Sequence, residues 1–508
     1  MALHILLTWL ALSLPLFLLL LLSVKNSNNK KKNLPPGPPS LPIIGNFHQL
    51  GHLPHQSLWK LSRQYGPVML IRLGGAPTIV ISSPEAAREV LKTHDLNCCS
   101  RPRLVGTGRL SYDSLDVAFV EYGNYWREVR KLCVLELFST KRVQSFRYVR
   151  EEEVGSMIES IAKSAESGSL VNISEKFMAL TANVTCRIAF GKAFQGTDFE
   201  DARFMDMVHE GMAMLGSFSA SDFFPRFGWI VDRFMGLHSR LEKSFHDLDI
   251  LYEKVIEEHR NANKSNKEEE DIVDSLLKME KDQTELAGVR LKKDNIKAIL
   301  MDIFLGGVDT GAVVMDWTMA ELVRNPRVMR KAREEIRSCV GNKKLVVEDD
   351  LSKLKYLRLV LKEVLRLHPP GALLLPRETI GHFKLFGYDV DPKSRVHVNV
   401  WGMGRDPSLW ECPEEFVPER FEDNPIDYKG IHFELLPFGA GRRGCPGMWM
   451  AMVVVEMALA NVLHSFDWEL PEGMIEGDVS MEEGAGIAVF KKVPLTLLPV
   501  KASHATDA

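Results

Sequence analysis

Phe438-Gly439-Ala440-Gly441-Arg442-Arg443-Gly444-Cys445-Pro446-Gly447 sets one cysteine at the end of a glycine-lined turn, with two arginines just before it. A thiolate presented in this way suits the axial position on haem iron, where its electron donation favours O–O cleavage. Gly441 and Gly447 lack a Cβ and would let the backbone approach a flat macrocycle. Loop N–H groups turned toward the sulfur would temper its donation, and the forked donors of Arg443 suit a propionate. Two other readings compete. A lone cysteine is most often a small buried hydrophobe. Gly439 to Gly444 also satisfies G-x-G-x-x-G, after the apolar Leu435-Leu436 and ahead of the helical-looking Trp449 to Leu463, which mimics a dinucleotide fingerprint. That mimicry fails on context: no βαβ alternation follows, and Pro446 stands where the phosphate-binding helix would begin.

Upstream, Leu305-Gly306-Gly307-Val308-Asp309-Thr310-Gly311 falls within an apolar stretch, Asn295 to Val323, whose pattern predicts a long helix. Two adjacent glycines cost about 1 kcal/mol each against alanine in a helix interior, so something must offset them. One offset is a ligand lying on the backbone, with Asp309 and Thr310 as a proton path of the general-acid kind. The other is a glycine-assisted helix crossing with a satisfied Asp309; the segment alone does not choose. Glu363 and Arg366, at i and i+3, meet on one helix face. With Arg420 of Pro418-Glu419-Arg420-Phe421 they would make a buried structural cluster, although such pairs are often surface decoration. Trp126-Arg127-Glu128-Val129-Arg130 sets an indole N–H and a guanidinium one turn apart. That arrangement suits propionates or, equally, a surface helix with a packed tryptophan.

The 508 residues carry Lys+Arg 63 against Asp+Glu 67, so no global field points to nucleic acid. Seven cysteines, an odd number, argue against a disulfide framework and for a reducing compartment. Cys98, Cys99, Cys133, Cys186, Cys339 and Cys412 read as structural thiols. Leu3 to Val24 contains no charged residue and as a helix would extend about 33 Å, enough to cross a hydrocarbon core of about 30 Å. Lys25, Lys30, Lys31 and Lys32 follow it, which keeps that side cytosolic. A cleaved signal peptide usually has a shorter apolar region with its charge in front. The expected order is therefore an uncleaved anchor over 3–24, a basic and proline-rich hinge over 25–39, and one catalytic body over 40–508. Leu34 to Pro39 would be a stiff extended spacer. Val68 to Leu73 and Thr78 to Ser82 read as a hairpin around Gly74-Gly75-Ala76-Pro77. From Pro84 to about Leu367 the pattern is mainly helical, with a mobile polar loop over Asn261 to Asp271. Phe218 and Ser221-Asp222-Phe223-Phe224-Pro225 read as a lid dipping toward a membrane or as a core aromatic cluster.

These constellations, in this order behind an anchor and a proline-rich hinge, resemble the cytochrome P-450 superfamily of haem-thiolate monooxygenases over the whole chain. The pattern F-x-x-G-x-R-x-C-x-G falls on Phe438, Gly441, Arg443, Cys445 and Gly447. His368-Pro369-Pro370, Trp401 with Gly404-Arg405-Asp406-Pro407, and Pro418 to Phe421 resemble the plant microsomal type of specialised metabolism. The resemblance implies a mainly α fold with a small β-rich lobe. It places haem b between the helix of Thr310 and the loop of Cys445, with Cys445 as the iron ligand. It implies O2 as cosubstrate and NADPH as the electron source through a membrane-bound flavoprotein reductase. Asp309 and Thr310 would deliver protons, and Trp126, Arg130, Arg377 and Arg443 would bind propionates, with Phe438, Gly441 and Gly447 completing the haem loop. Arg127, Arg130, Lys131, Arg442 and Arg443 would form the reductase patch.

Substrate contacts implied by the resemblance are the loop from Arg103 to Val120, Phe218, Phe304, Gly307, Ala372 to Leu375 with Leu373 among them, and Ala485 to Ile487. Most are apolar, as a hydrophobic small molecule requires. The implied enzyme is a single-pass endoplasmic-reticulum protein with a cytosolic catalytic domain, hydroxylating or epoxidising a lipophilic plant metabolite, with terpenoids and alkaloids as the leading classes. A reductase-independent haem-thiolate isomerase or dehydratase is one alternative, against which Asp309 and Thr310 speak; a non-catalytic membrane haem protein is another. Two positions depart from the family. Gly311 stands where Ser or Thr is usual, which would alter the water chain that feeds protons. Gly444 stands where a bulkier residue is common.

Overall fold

The computed structural model describes residues 32–193, 201–261, 270–282, 285, 286 and 288–502. The expected anchor, the first part of the hinge and most of the polar loop after Asn261 lie outside the described residues. What is described of the hinge lies against the protein. The Asn33 N–H donates to Asp389 Oδ2 at 2.9 Å, and the Leu70 N–H donates to the Pro36 carbonyl at 2.9 Å. A Cβ on Gly37 would sit 1.9 Å from the Leu70 oxygen, so only glycine lets this segment lie so close to its neighbouring strand.

The β-rich lobe opens with α1 (Pro54–Tyr65), β1 (Val68–Leu73) and β2 (Ala76–Ile81). The hairpin register pairs Leu73 with Ala76, so the turn is Gly74-Gly75 alone, tighter than the expected four residues, and Gly74 takes φ +56°. Helices α2 (Asn124–Leu132) and α3 (Arg147–Glu166) follow, then the short strand β3 (Val171–Asn172). Next come α4 (Ile173–Phe190), α5 (Asp201–Leu215), α6 (Gly228–Phe234), α7 (Leu237–Asn261), α8 (Lys293–Arg324), α9 (Pro326–Val340) and α10 (Lys355–Leu367). Strands β4 (Arg377–Glu378) and β5 (Arg395–Val398) return to the lobe, completing a sheet of order β1-β2-β5-β4. The chain continues through α11 (Met448–Ser465), β6 (Phe466–Glu469) and β7 (Thr496–Lys501), with β7 between β6 and β3 in a second sheet. The architecture is mainly α with a small β-rich lobe.

Helix α8 runs unbroken through Gly306-Gly307. It starts where Asn295 Oδ1 accepts the Lys292 N–H at 2.9 Å and ends at Asn325, whose amide caps the Glu321 carbonyl at 2.8 Å before Pro326. It is apolar on nearly every face because it is the axis of the main core, packed with α4, α5, α7, α9, α10 and α11. Both α8 and α11 are long and apolar enough to cross a membrane, yet each is mostly buried in the protein. A second core cluster, with Ile79, Ile81, Leu385, Val396 and Val398, fills the lobe. The segment before α11 runs between these two bodies.

Candidate active site

The cysteine turn is closed by the Cys445 N–H donating to the Phe438 carbonyl at 3.0 Å, with Gly439 and Gly441 at φ +68° and +71°. A Cβ on Gly441 would meet the Leu91 oxygen at 2.2 Å and Asp95 Oδ1 at 3.0 Å. Gly441 therefore serves a close approach to the 91–95 segment, a different purpose from the contact with a macrocycle that its position in the sequence suggests. Gly447 takes an ordinary φ of −87° and has room for a Cβ; its contribution is its N–H. Burial pushes the Cys445 thiol pKa up, opposed by the Gly447 N–H, by Arg130 and by the Met448 N–H at the start of α11. The side chain is enclosed by protein but keeps accessible surface. Arg130 donates to the Gly444 carbonyl next to it. The ring of Phe438 lies 5.8 Å from that of Tyr428.

The expected propionate ligands share one wall, and each is held by the protein. Arg377 donates to Asp95 Oδ1 at 2.8 Å and to the Ala440 carbonyl at 2.9 Å. Asp95, which drew no notice in the sequence, is buried and also accepts Arg442 Nη1 at 2.9 Å. Arg443 donates to the carbonyls of Cys99 (2.8 Å), Val117 (3.1 Å) and Val120 (2.6 Å), and burial drops its pKa to about 9. A guanidinium has five N–H donors, so donors remain on Arg443 and Arg377. Trp126 has one, and it goes to Val117 at 3.1 Å. Here Trp126 supports Arg443 through its ring, 4.3 Å from the guanidinium carbon, and offers no donor to a propionate. Of the expected reductase patch, Arg127, Lys131 and Arg442 are exposed, whereas Arg130 is half-buried and Arg443 is buried. The last two belong to the interior.

On α8, Thr310 Oγ1 donates to the Gly306 carbonyl at 2.8 Å. Asp309 is buried with no hydrogen-bond partner among the described residues, and burial lifts its pKa to about 6 against the pull of His209 on α5. The glycines divide by direction. A Cβ on Gly306 finds open space, one on Gly307 comes 2.9 Å from Thr185 Oγ1, and one on Gly311 comes 3.2 Å from Thr181 Cγ2. Gly306 and Gly307 both keep accessible surface, but the Cβ directions of Gly307 and Gly311 point into the crossing with α4. Phe304 is fully buried among Phe190, Phe204 and Tyr252. Phe304 is thus a core contact, whereas Gly307 keeps accessible surface beside Gly306; Ile303, Gly306 and Gly307 all lie toward the face of Thr310.

Phe218 is 57% exposed and stacks on Phe223 at 4.9 Å, with Phe47 edge-on to both. Leu373 is half-buried against the Met69 and Ile71 cluster. Ile487 lies against the end of α5, its N 2.9 Å from where a Gly216 Cβ would stand. Away from these, Glu363 is wholly buried. It accepts Arg366 Nε and Nη2 at 2.7 Å each, Arg420 Nε at 2.9 Å and the Val417 N–H at 2.9 Å. Arg366 also reaches the carbonyls of Gly404, Pro413 and Glu415. This cluster clamps α10 to the segment leading into the cysteine turn.

A helical body with a small sheet lobe and a cysteine turn feeding a core helix is the arrangement of a haem-thiolate protein, and the comparisons agree. The cytochrome P450 family profile matches residues 35–496, and the chain belongs to that family. It is similar to cytochrome P450 71B10 of Arabidopsis thaliana, 53% identical over 496 residues, which span 97% of this chain and 99% of the relative. Cytochrome P450 71B36 of the same plant is 51% identical, over 94% and 95% of the two chains. A zebra fish cytochrome P450 solved with abiraterone superposes with TM-score 0.75 at 26% identity, covering 89% of this chain and all of that one. The protein is a haem-thiolate monooxygenase of plant type. It uses haem b and O2 with electrons from NADPH by way of a redox partner, and it acts on a hydrophobic substrate.

Proposed function

We propose that Cys445 is the iron ligand and that the chain oxygenates a lipophilic plant metabolite, a terpenoid or alkaloid, as an endoplasmic-reticulum enzyme. The observation that carries the site assignment is the Cys445 sulfur, accessible within the protein and facing the N–H groups of Gly447 and Met448 beside Arg130. Those groups favour the thiolate, so the residues fit a haem. Arg130, Arg377 and Arg443 would hold its propionates, and Gly306 leaves space on the other side. Haem, when bound, supplies oxygen activation: one oxygen atom enters the substrate and the other leaves as water, with two electrons from NADPH. The chain's own work is proton handling. Thr310 presents its hydroxyl on the Gly306 face, and Asp309 holds a proton at mildly acid pH.

The membrane assignment rests on the uncharged stretch from Leu3 to Val24 and on an apolar surface at α6 and the 41–44 turn. There Phe234 (88%), Met235 (79%), Trp229 (59%) and Ile43 (59%) are exposed. Exposed apolar side chains of this size suit a bilayer. Arg127, Lys131 and Arg442 would receive an acidic flavoprotein reductase. The test is reconstitution with such a reductase and a terpenoid and alkaloid panel, screened first by type I difference spectra. Oxygenated product that requires both NADPH and O2 is expected. Turnover of fatty acids alone, with no spectral shift from any terpenoid or alkaloid, would overturn the substrate class; product formed without reductase would overturn the reaction.

A further inference from the structure

The loop from Leu115 to Val120 is held by groups from four places in the chain, and two carboxyls lie at its centre. Asp302 of α8 accepts the Val117 N–H at 2.7 Å and the Ala118 N–H at 3.0 Å through Oδ2. Asp116, wholly buried, accepts the Phe119 N–H at 2.7 Å through Oδ2. The two carboxyls approach the same turn of the loop from either side, each influences the other's ionisation, and Asp116 Oδ1 is buried with no hydrogen-bond partner among the described residues. Two ionised carboxylates side by side in a buried site repel, and a proton held on one of them would give Asp116 Oδ1 the partner it lacks. The same loop offers its carbonyls outward. Val117 receives Trp126 and Arg443, Val120 receives Arg443, and Ala118 receives Arg101 Nε at 2.8 Å. Arg101 in turn donates to Leu375 and Pro376, beside the expected substrate contacts.

We propose that Asp116 and Asp302 share one proton and act as the positioning link that registers the 115–120 loop, and with it Arg443, against α8 about two turns ahead of Thr310. Both sides of the site then depend on it: the Arg443 clamp through Val117 and Val120, and the substrate side through Ala118 and Arg101. The groups facing the pair are the guanidiniums of Arg101 and Arg443, the Cys133 thiol, Tyr252, and Tyr125, which bonds Leu115 and Asn295. Burial and the neighbouring Asp116 hold the Asp302 pKa well above the ordinary carboxyl range. The shared proton is therefore kept beyond the pH at which an ordinary carboxyl ionises and is lost as pH rises further, where two facing carboxylates push the loop away.

The test uses full-length, haem-loaded protein. Amide hydrogen exchange over 115–120 and 1-phenylimidazole binding are followed from about pH 5 to 10, with exchange corrected for its intrinsic pH dependence. In the unsubstituted protein, protection at Val117, Ala118 and Phe119 should fall about tenfold or more over that range, the scale of losing a buried acceptor, and azole affinity should change with it. Asp302→Asn keeps an oxygen for the two N–H groups and an NH2 for ionised Asp116, so its protection should stay high and flat. Asp302→Ala should be unprotected throughout. Should Asp302→Ala fail to accumulate with a thiolate carbonyl band, the first two proteins decide. A pH-dependent parent with a flat Asn variant supports the link; flat behaviour in both, or an Asn variant as unprotected as Ala, overturns it.

Discussion

Alanine at each of the three glycines of α8 should change stability in a different direction. Gly306→Ala places its Cβ in open space, so the substitution gains only the helix preference of alanine, about 1 kcal/mol. Gly311→Ala makes the same gain but puts Cβ 3.2 Å from Thr181 Cγ2. That methyl has little freedom, because Thr181 Oγ1 is bonded to Phe177 and Met178 carbonyls at 3.0 Å each. Overpacking costs about 1–3 kcal/mol, and at a misfit of a few tenths of an ångström the low end applies, so the net lies within about 1 kcal/mol of zero. Gly307→Ala meets Thr185 Oγ1 at 2.9 Å and Cγ2 at 3.1 Å. Both atoms belong to one β-branched side chain that is stiff at χ1, so the upper part of the range applies and about 1–2 kcal/mol is lost net. The spread between Gly306→Ala and Gly307→Ala is then about 2–3 kcal/mol, worth roughly 3 °C in a body of this size. The assay is the thermal midpoint read from the carbonyl difference band of the thiolate haem. Any order other than 306, 311, 307 from most to least stable refutes the crossing geometry, and a Gly307→Ala protein as stable as Gly306→Ala refutes it outright.

Glu363→Gln leaves two buried guanidiniums without their counter-charge and should cost about 3–5 kcal/mol, seen as little or no thiolate carbonyl band. Arg366→Lys should fare no better, since one ammonium cannot replace a fork that reaches Glu363, Gly404, Pro413 and Glu415 at once. Cys445→Ser should abolish both the carbonyl band and turnover. Thr310→Ala should keep the band and NADPH consumption but lower product per NADPH. For Asp309, whose pKa is lifted by burial to about 6, the protonated fraction falls as pH rises through that value. Product per NADPH should fall over the same interval, measured between about pH 5 and 8, and Asp309→Asn should flatten the profile. Because the folded value lies above the unfolded one, the stability penalty of this carboxyl is absent near pH 4 and complete above about pH 6, so Asp309→Asn should gain stability only on the alkaline side of that window.

The parts of the site that were readable in the sequence are those whose geometry is local. The cysteine turn is ten consecutive residues, the Glu363–Arg366 pair is one helical turn, and the continuous apolar pattern of α8 fixes its length to within two residues at its start. Phe304, expected among the substrate contacts, is wholly buried in the core for a reason that helix geometry exposes. Counting back from Thr310 by four and by seven gives Gly306 and Ile303; Gly307 stands about 60° from Thr310, near that stripe, and Phe304 about 120° from it. Asp116 and Arg101 gave no signal because they lie in loops, and Asp95 because it opens a helix of only four residues, Asp95–Cys98; the partners are hundreds of residues away for Asp95 with Arg377 and for Arg101 with Leu375. Asp302 did leave one: an acid between Met301 and Ile303 in an otherwise apolar helix requires a buried partner, even though the sequence cannot say which.

The family's usual Ser or Thr at position 311 raised a question about proton supply that the packing answers in part. Gly307 and Gly311 stand four apart on α8 and face Thr185 and Thr181, four apart on α4, so the two helices cross with two small residues set against two threonines. A side chain at 311 would point into that crossing, off the stripe where Thr310 and Gly306 lie. The glycine is then explained by a close α4–α8 contact, and its price in helix propensity is offset by dispersion along the crossing. Proton handling rests instead on Thr310, whose hydroxyl is anchored to Gly306, and on Asp309, whose nearest titratable influence is His209 on α5. Because α5 meets the same helix through Phe204 on Phe304 and through Gly211 on Leu305, any shift of α5 on substrate entry changes the surroundings of Asp309 directly. Position 311 feels such a shift only through the core.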